Sequence, residues 1–136
     1  MAEQTYHGGC HCGAIRYSAD LDFDNGTYRC NCSLCSKTRA WFAFTPRDKF
    51  RLDKDGPTIE YRWTPPGKER SNLAYHICST CGVRTYTFGD GPGGPQAAIQ
   101  VATIEDADPD TLLKSIHYID MAHDRFDREP ADKRLL

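Results

Sequence analysis

Short segments in which apolar and polar residues alternate dominate this 136-residue chain. A period of two is typical of a β-strand that buries one face. Such segments lie at 14–19, 59–63, 73–77, 83–88 and 98–101, with further candidates at 41–44 and 115–119. The pattern predicts a mostly β fold of short antiparallel strands, either a sandwich or a small barrel-like arrangement.

Turn-forming residues separate these segments, as expected for short strands. The predicted breakers are Asp24-Asn25-Gly26, Asp55-Gly56-Pro57, Pro65-Pro66-Gly67 and the stretch from Gly89 to Pro95. Helix is predicted only at 108–113, with Asp108 as the N-cap and Pro109 at the first helical position. We expect one domain over 1–136, in which 120–136 form a polar, loosely packed C-terminal tail.

Cysteine is the informative part of the composition, because the chain has seven and they are clustered. A secreted disulfide framework usually combines an even count with a signal peptide, and the first five residues offer neither a basic start nor an apolar stretch. We therefore expect a cytoplasmic protein whose cysteines bind metal or react as thiols. Buried free cysteines that serve as apolar residues are the simpler alternative, but they would be scattered.

The cysteines divide into four that close a site and three that leave one open. Cys78 and Cys81 form a C-x-x-C-G turn, and Cys10 and Cys12 form a similar hook among glycines. Two such hooks supply the four thiolates of a tetrahedral structural zinc site, which would tie together distant parts of a chain with a thin core. Cys30, Cys32 and Cys35 remain, and three ligands with one free position are typical of a working metal site.

Zinc is favoured over an iron–sulfur cluster because C-x-C-x-x-C lacks a fourth ligand at the familiar cluster spacings. In an alternative division, the three-cysteine cluster gains a histidine and becomes a second closed site. His7, His11 and His76 lie near metal ligands in the sequence, although a surface or supporting role is favoured for each. His117 and His123 have no metal ligand nearby in the sequence, and we expect them to be structural or exposed.

Gly8-Gly9-Cys10-His11-Cys12-Gly13, the C-x-C-x-x-C run and Cys78-x-x-Cys81-Gly82 together resemble the glutathione-dependent formaldehyde-activating enzyme family, which also contains centromere protein V. The resemblance implies a zinc-stapled β-tent fold. It assigns Cys10, Cys12, Cys78 and Cys81 to a structural zinc, and Cys30, Cys32 and Cys35 to a second, labile zinc near a glutathione site. The implied reaction, of carbon–sulfur lyase type, joins formaldehyde and glutathione as S-hydroxymethylglutathione.

Glutathione carries two carboxylates, so its site needs cations near the three-cysteine cluster. Lys37 and Arg39 are the first candidates, and Arg47 and Lys49 follow further along, although a solvated surface role is favoured for each. An aromatic run, Trp41, Phe42 and Phe44, is able to wall the pocket, although a place in the core is favoured.

A formal net charge of -2 argues against a nucleic-acid partner, and no apolar run approaches the ~20 residues of a membrane span. We therefore expect a small-molecule thiol and an aldehyde as partners. Two other functions stay open from the sequence: a non-catalytic zinc-binding interaction module, and a thiol or metal sensor whose three exposed thiolates oxidise and release zinc.

Overall fold

The computed structural model describes residues 3–69, 73–91 and 93–136. Within these residues the mostly β fold is confirmed, with ten strands and two short α-helices. The strands are β1 (Gln4–Gly9), β2 (Ile15–Leu21), β3 (Thr27–Cys30), β4 (Trp41–Pro46), β5 (Phe50–Asp55), β6 (Thr58–Tyr61), β7 (Ala74–Cys78), β8 (Arg84–Gly91), β9 (Gly94–Gln100) and β10 (Ile116–Ile119). The helices are α1 (Ser33–Thr38) and α2 (Pro109–Lys114).

Two sheets organise these strands. One has three strands in the order β1-β2-β5, and the other has seven in the order β10-β3-β4-β9-β8-β7-β6. The pairs are antiparallel except β10 with β3, which run parallel and align Ile119 with Cys30. This parallel register brings the residues that follow the two strands side by side, and it therefore shapes the three-cysteine cluster.

All seven strand candidates correspond to strands, but the sequence pattern missed β1, β3 and β5. Each of these three lacks a clear alternation: β1 ends in two glycines, β3 has only four residues, and β5 is largely charged. Hydrogen bonds to a neighbouring strand stabilise such segments whatever their composition. The pattern along one segment cannot reveal a neighbour supplied by tertiary structure.

The predicted break from Gly89 to Pro95 was too wide. Strands β8 and β9 continue almost to the turn, and Gly91 is the register partner of Gly94; Pro92 lies outside the described residues. Helix α2 is confirmed, with the Asp108 carboxylate accepting a hydrogen bond from the Thr111 N–H at 3.0 Å. Helix α1 was missed because its N-cap is a thiol, Cys32, rather than one of the usual oxygen-bearing residues.

The main core lies between the two sheets. Ile15 and Tyr17 of β2 pack there with Ile99 and Val101, all almost completely buried. Burial raises the pKa of Tyr17, whose hydroxyl bonds to that of Thr103 at 2.7 Å. A second, smaller apolar cluster surrounds Cys30 and Cys35.

The C-terminal segment is polar and mostly exposed, but specific contacts hold it. The Phe126 ring lies 5.2 Å from that of Tyr28, and the Arg39 guanidinium donates to the Leu135 carbonyl at 2.5 Å. The segment is therefore tied to the sheet rather than loosely packed. No helix in the described part of the chain is long and apolar enough to cross a membrane.

Candidate metal centres and an adjoining cavity

The two cysteine hooks at the ends of β1 and β7 share one backbone design. The Cys10 N–H donates to the Ile15 carbonyl at 3.1 Å, and the Cys78 N–H donates to the Val83 carbonyl at 3.0 Å. In each hook a tight turn that spans six residues brings the two sulfurs together. Gly82 has a φ of 78°, a left-handed conformation that glycine adopts without strain.

Gly9 is required for a different reason, the close approach of two backbones. A Cβ atom at this position would lie 2.1 Å from the Ile15 carbonyl oxygen. That carbonyl is the one that receives the Cys10 N–H, and the Ile15 N–H in turn donates to the Cys10 sulfur at 3.3 Å. Gly9 therefore allows the first hook to close.

The hooks bring four sulfurs together, with those of Cys10, Cys12, Cys78 and Cys81 all within 4.8 Å of one another. The Cys12 sulfur lies 3.6 Å from that of Cys10 and 3.7 Å from that of Cys78. Zinc–sulfur bonds of about 2.3 Å in a tetrahedron separate the sulfurs by about 3.8 Å, so this donor set fits zinc. Since β1 and β7 belong to different sheets, the cluster joins the two sheets.

The second cluster gathers Cys30, Cys32 and Cys35 at the start of α1, where their sulfurs also lie within 4.8 Å of one another. The Cys30 sulfur accepts a hydrogen bond from the Cys32 N–H at 3.4 Å, and the Cys32 sulfur accepts one from the Cys35 N–H at 3.3 Å. Hydrogen bonds from Cys30 and Cys35 lower the pKa of the Cys32 thiol to about 2, while those with Cys30 and Cys32 raise the pKa of Cys35. Three sulfurs this close need a bound cation before all of them ionise, and the set offers zinc three of its usual four ligands.

Hydrogen bonds to Asp120, which follows β10, hold this cluster in place. The Asp120 carboxylate accepts a hydrogen bond from the Asn31 side chain at 2.8 Å, and Asn31 lies between two of the cysteines. The Asn31 amide oxygen accepts the Ala122 N–H at 2.9 Å. Arg128 and His123 also bond to Asp120, and the bonds from Asn31, His123 and Arg128 lower the pKa of this carboxyl to about 2. The cysteine turn and the C-terminal segment are thus one hydrogen-bonded unit.

The three-cysteine cluster forms part of the wall of a cavity of about 550 Å³. The cavity also borders β4, β7, β8 and the chain after β10. Most of the described wall is aromatic, aliphatic or proline. Within that part, the charged or titratable side chains besides the cysteines and Tyr75 are Lys68, Arg84, Asp124 and His123. Burial raises the pKa of Tyr75 to about 12. The arrangement places a reactive cluster beside a space large enough for an organic ligand.

The aromatic run of β4 is divided between two environments. Trp41 packs against the main core, and its indole N–H donates to the Thr27 hydroxyl at 2.8 Å. Phe42 and Phe44 line the cavity instead, and the Phe44 residue is 43% exposed. The preference for a core position was therefore wrong for Phe44, whereas Phe42 borders the cavity and also packs against the smaller apolar cluster around Cys30 and Cys35. Alternating residues of a strand point to opposite faces, but sequence alone does not show which face borders a cavity.

His123 is the site residue that sequence reasoning missed. It lines the cavity, and its Nδ1 lies 2.8 Å from the Asp120 carboxylate. Because the carboxylate accepts this bond, Nε2 is the ring nitrogen left for a ligand or a proton. Among the described residues, no histidine joins either sulfur cluster, so the alternative division with a histidine ligand is not formed.

The cations named from the sequence lie elsewhere. Of the side chains that the structure describes around the cavity, none belongs to Lys37, Arg39, Arg47 or Lys49. Arg39 reaches the C-terminal segment, Arg47 stacks over the Phe88 ring at 3.8 Å, and Lys49 pairs with Glu3 at 2.7 Å. The role of Lys37 and Arg39 in holding glutathione stays a prediction.

A family model described as glutathione-dependent formaldehyde-activating enzyme matches residues 5–119, which include all seven cysteines. The chain belongs to this family. Membership in the glutathione-dependent formaldehyde-activating enzyme family confirms the resemblance drawn from the three cysteine clusters. It connects the chain with glutathione-related formaldehyde activation, and both clusters are compatible with the zinc chemistry expected of it.

The fold of this family member also occurs in a solved structure. A crystal structure of a Rhodobacter sphaeroides protein is 23% identical in sequence, with a TM-score of 0.65. The similarity covers 82% of this chain and 98% of that one. At this level of identity the likeness establishes the shared fold.

Proposed function

We propose that this protein is a zinc-dependent enzyme of carbon–sulfur lyase type, which makes and breaks adducts between a small-molecule thiol, glutathione, and an aldehyde such as formaldehyde. The observation that carries the proposal is the incomplete ligand set of Cys30, Cys32 and Cys35 at the wall of a cavity. A closed structural site would use all its ligand positions, whereas this one keeps a position for a substrate sulfur.

Cys30, Cys32 and Cys35 would hold the second zinc, and Cys10, Cys12, Cys78 and Cys81 the structural one. When bound by the three cysteines, zinc lowers the pKa of a substrate thiol, so that the thiolate is available at neutral pH. The protein would contribute mainly by holding thiol and aldehyde next to each other, which removes much of the entropic cost of their encounter.

His123 is suited to move the proton of this reaction. In the forward direction, Nε2 takes the proton of the thiol, the sulfur–carbon bond forms, and the C=O π bond opens. The same nitrogen then gives the proton to the new alkoxide oxygen, so that the product is a hemithioacetal. Asp120 keeps the proton on Nδ1 and so fixes the tautomer in which Nε2 is able to do this.

The glutathione carboxylates would meet Lys68 and Arg84, the two cations among the described residues of the cavity wall. Lys68 reaches Asp124 at 3.2 Å, and Arg84 bonds to the Thr38 hydroxyl at 2.9 Å. Lys37 and Arg39 remain candidates for the outer end of a bound tripeptide. Separate Lys68→Ala and Lys37→Ala variants distinguish these two pairs of cations. The Kd for glutathione should rise in the variant that removes a residue of the pair that binds it.

The decisive experiment measures the exchange between formaldehyde, glutathione and S-hydroxymethylglutathione by NMR, against the uncatalysed exchange in the same buffer. The wild-type protein should accelerate this exchange, while Cys32→Ser should lose the acceleration and retain the fold. Leu113→Ala, which changes an exposed residue of α2 outside the cavity wall, is the control. His123→Gln should keep its zinc and lose most of the rate.

Elemental analysis of the same samples completes the test. We expect two zinc ions per wild-type chain, falling toward one after glutathione is added, and one per Cys32→Ser chain. Two ions that do not respond to glutathione, with no acceleration of exchange, would favour the non-catalytic binding module. A single zinc from the start, with reversible oxidation of the three cysteines, would favour the thiol sensor.

A further inference from the structure

The cavity beside the three cysteines is far larger than formaldehyde needs. Formaldehyde has two heavy atoms and takes roughly the space of one or two waters, each ~30 Å³ in the liquid. The cavity has a volume of about 550 Å³, which lies within the range of pockets that bind whole organic ligands. Glutathione would occupy part of this space, and the remainder needs another occupant.

The walls indicate what kind of occupant fits. Phe42 and Phe44 contribute rings from β4, with centroids 5.2 Å apart in an edge-to-face arrangement. Trp63, Tyr75 and Phe126 add rings from three other parts of the chain. Five aromatic side chains on one cavity favour a ligand with an apolar, planar group, because ring faces and edges pack well against one another.

Exposure separates these rings from ordinary core residues. Phe44 is 43% exposed and Phe126 is 51% exposed, although both are large and apolar. Both border the same cavity as the reactive cysteines, and Tyr28 contacts both rings at centroid distances of 5.6 Å and 5.2 Å. Exposed aromatic rings that are held in place around a cavity are typical of a binding site.

The few charged side chains of the described cavity wall also indicate which class of ligand fits beside glutathione. The cationic side chains of the described wall are Lys68 and Arg84, apart from any charge on His123. The first is paired with Asp124, and the second lies over the Tyr75 ring at 4.5 Å. A second highly charged molecule would place its charged groups against apolar side chains, at a large desolvation cost. The space beside the thiol therefore suits an uncharged, apolar group.

We infer that this enzyme also accepts an aldehyde partner that carries an aromatic group, and that it binds this partner more tightly than formaldehyde. This inference rests on the proposed function, since it assumes that the three-cysteine cluster receives the thiol. The sulfur would meet the cysteines, and the aryl group would lie among Phe42, Phe44 and Phe126. Burial of a ring gains affinity in proportion to the apolar area removed from water, whereas formaldehyde buries almost none.

Stable thioether conjugates provide the test, because they mimic the adducts without turnover. Isothermal titration calorimetry of the zinc-loaded protein would compare S-benzylglutathione, S-hexylglutathione and S-methylglutathione. We expect the benzyl conjugate to bind at least about tenfold more tightly than the methyl conjugate, and more tightly than the hexyl conjugate. Benzyl alcohol, a ring without the peptide, is the fourth probe.

Two variants locate the binding. Phe44→Ala should weaken the benzyl conjugate by about tenfold and leave the methyl conjugate within about twofold, since only the first loses ring contacts. Ile59→Ala is the matched control, because Ile59 is 57% exposed on β6 and outside the cavity wall. It should change neither affinity. Far-UV circular dichroism and zinc content verify that both variants are folded and loaded.

The outcomes separate the two proposals. Equal affinity for the methyl and benzyl conjugates, with both lost in Cys32→Ser, would overturn the aromatic inference and leave the proposed function standing. Tighter binding of the hexyl conjugate would also overturn it. If the conjugates fail to bind but benzyl alcohol binds in a Phe44-dependent way, the role of glutathione fails and the aromatic site stands. Binding of none of the four would overturn both.

Discussion

The two cysteine clusters offer the same ligand atom but are built and surrounded differently. The four-cysteine cluster is made by two backbone turns that belong to different sheets. A metal bound by all four cysteines would therefore fix the position of one sheet relative to the other. The three-cysteine cluster is made by one turn at the start of α1, and side chains from the C-terminal segment hold it. The first has a complete set of ligands, and the second faces a cavity.

Under the proposed function, this difference explains how one domain would combine a rigid metal site with one that exchanges its metal. A site whose ligands come from two sheets loses its metal only when the sheets separate, so its metal affinity adds to the stability of the fold. A site carried by one turn releases or exchanges metal with little consequence elsewhere. Ligand count and structural context therefore support the same division of roles.

Removing one ligand from each cluster tests whether the two clusters differ in role. Cys78→Ser should abolish cooperative folding, because a structural zinc contributes an apparent ~10–16 kcal/mol while a whole domain is stable by only ~5–15 kcal/mol. Cys32→Ser should retain the fold and lose only the second zinc. Thermal unfolding followed by circular dichroism, with zinc analysis of each sample, measures both effects. Equal losses in Tm would show that the clusters do not differ in role.

A change of one glycine beside the first cluster tests the backbone design of the hook. Gly9→Ala should destabilise the protein by about 3 kcal/mol or more, because the new methyl group meets the Ile15 carbonyl that closes the hook. Gly13→Ala is the matched control: its φ of 84° costs about 1–2 kcal/mol of strain, but no heavy atom lies within 4 Å of the new group. Urea unfolding of the zinc-loaded proteins would measure both. Similar losses would show that close approach is unimportant there.

The smallest expected effect concerns the link between the second cluster and the C-terminal segment. The pKa of Asp120 is lowered to about 2 in the folded protein, from an ordinary 3.8. A carboxyl whose pKa is lowered on folding stabilises the folded state above its ordinary pKa, and the contribution is lost as the pH falls toward the folded value. The advantage of the wild type over Asp120→Asn in unfolding free energy should therefore be constant above about pH 5 and shrink between about pH 4 and 2.

Both proteins lose zinc in acid, so the measured quantity is the difference between them at each pH. Asp110→Asn, which neutralises an exposed carboxylate on α2, is the control, and its difference from the wild type should be small throughout. An Asp120→Asn difference that does not change with pH would mean that the bonds to Asn31, His123 and Arg128 do not depend on the charge of the carboxylate.

Some of the site could be predicted because its residues are adjacent in sequence. The C-x-x-C-G turn fixes how Cys78 and Cys81 converge, and three clusters of two, three and two cysteines allow few divisions. Other residues could not be found in this way. His123 joins the site only because Ile119 aligns with Cys30, which brings Asp120 against Asn31, 89 residues earlier.

The amino-acid sequence is enough to predict the mostly β fold, the helix beginning at Pro109, the family, and the division of the cysteines into four and three. These depend on periodicity, turn chemistry and short-range spacing, which act between residues close along the chain. The fold is needed to see that Phe42 and Phe44 line a cavity while Trp41 packs against the main core. It is also needed to place Lys68, Arg84 and His123 in the described part of the cavity wall. Those outcomes depend on which strands become neighbours, and strand pairing joins residues that no local pattern connects.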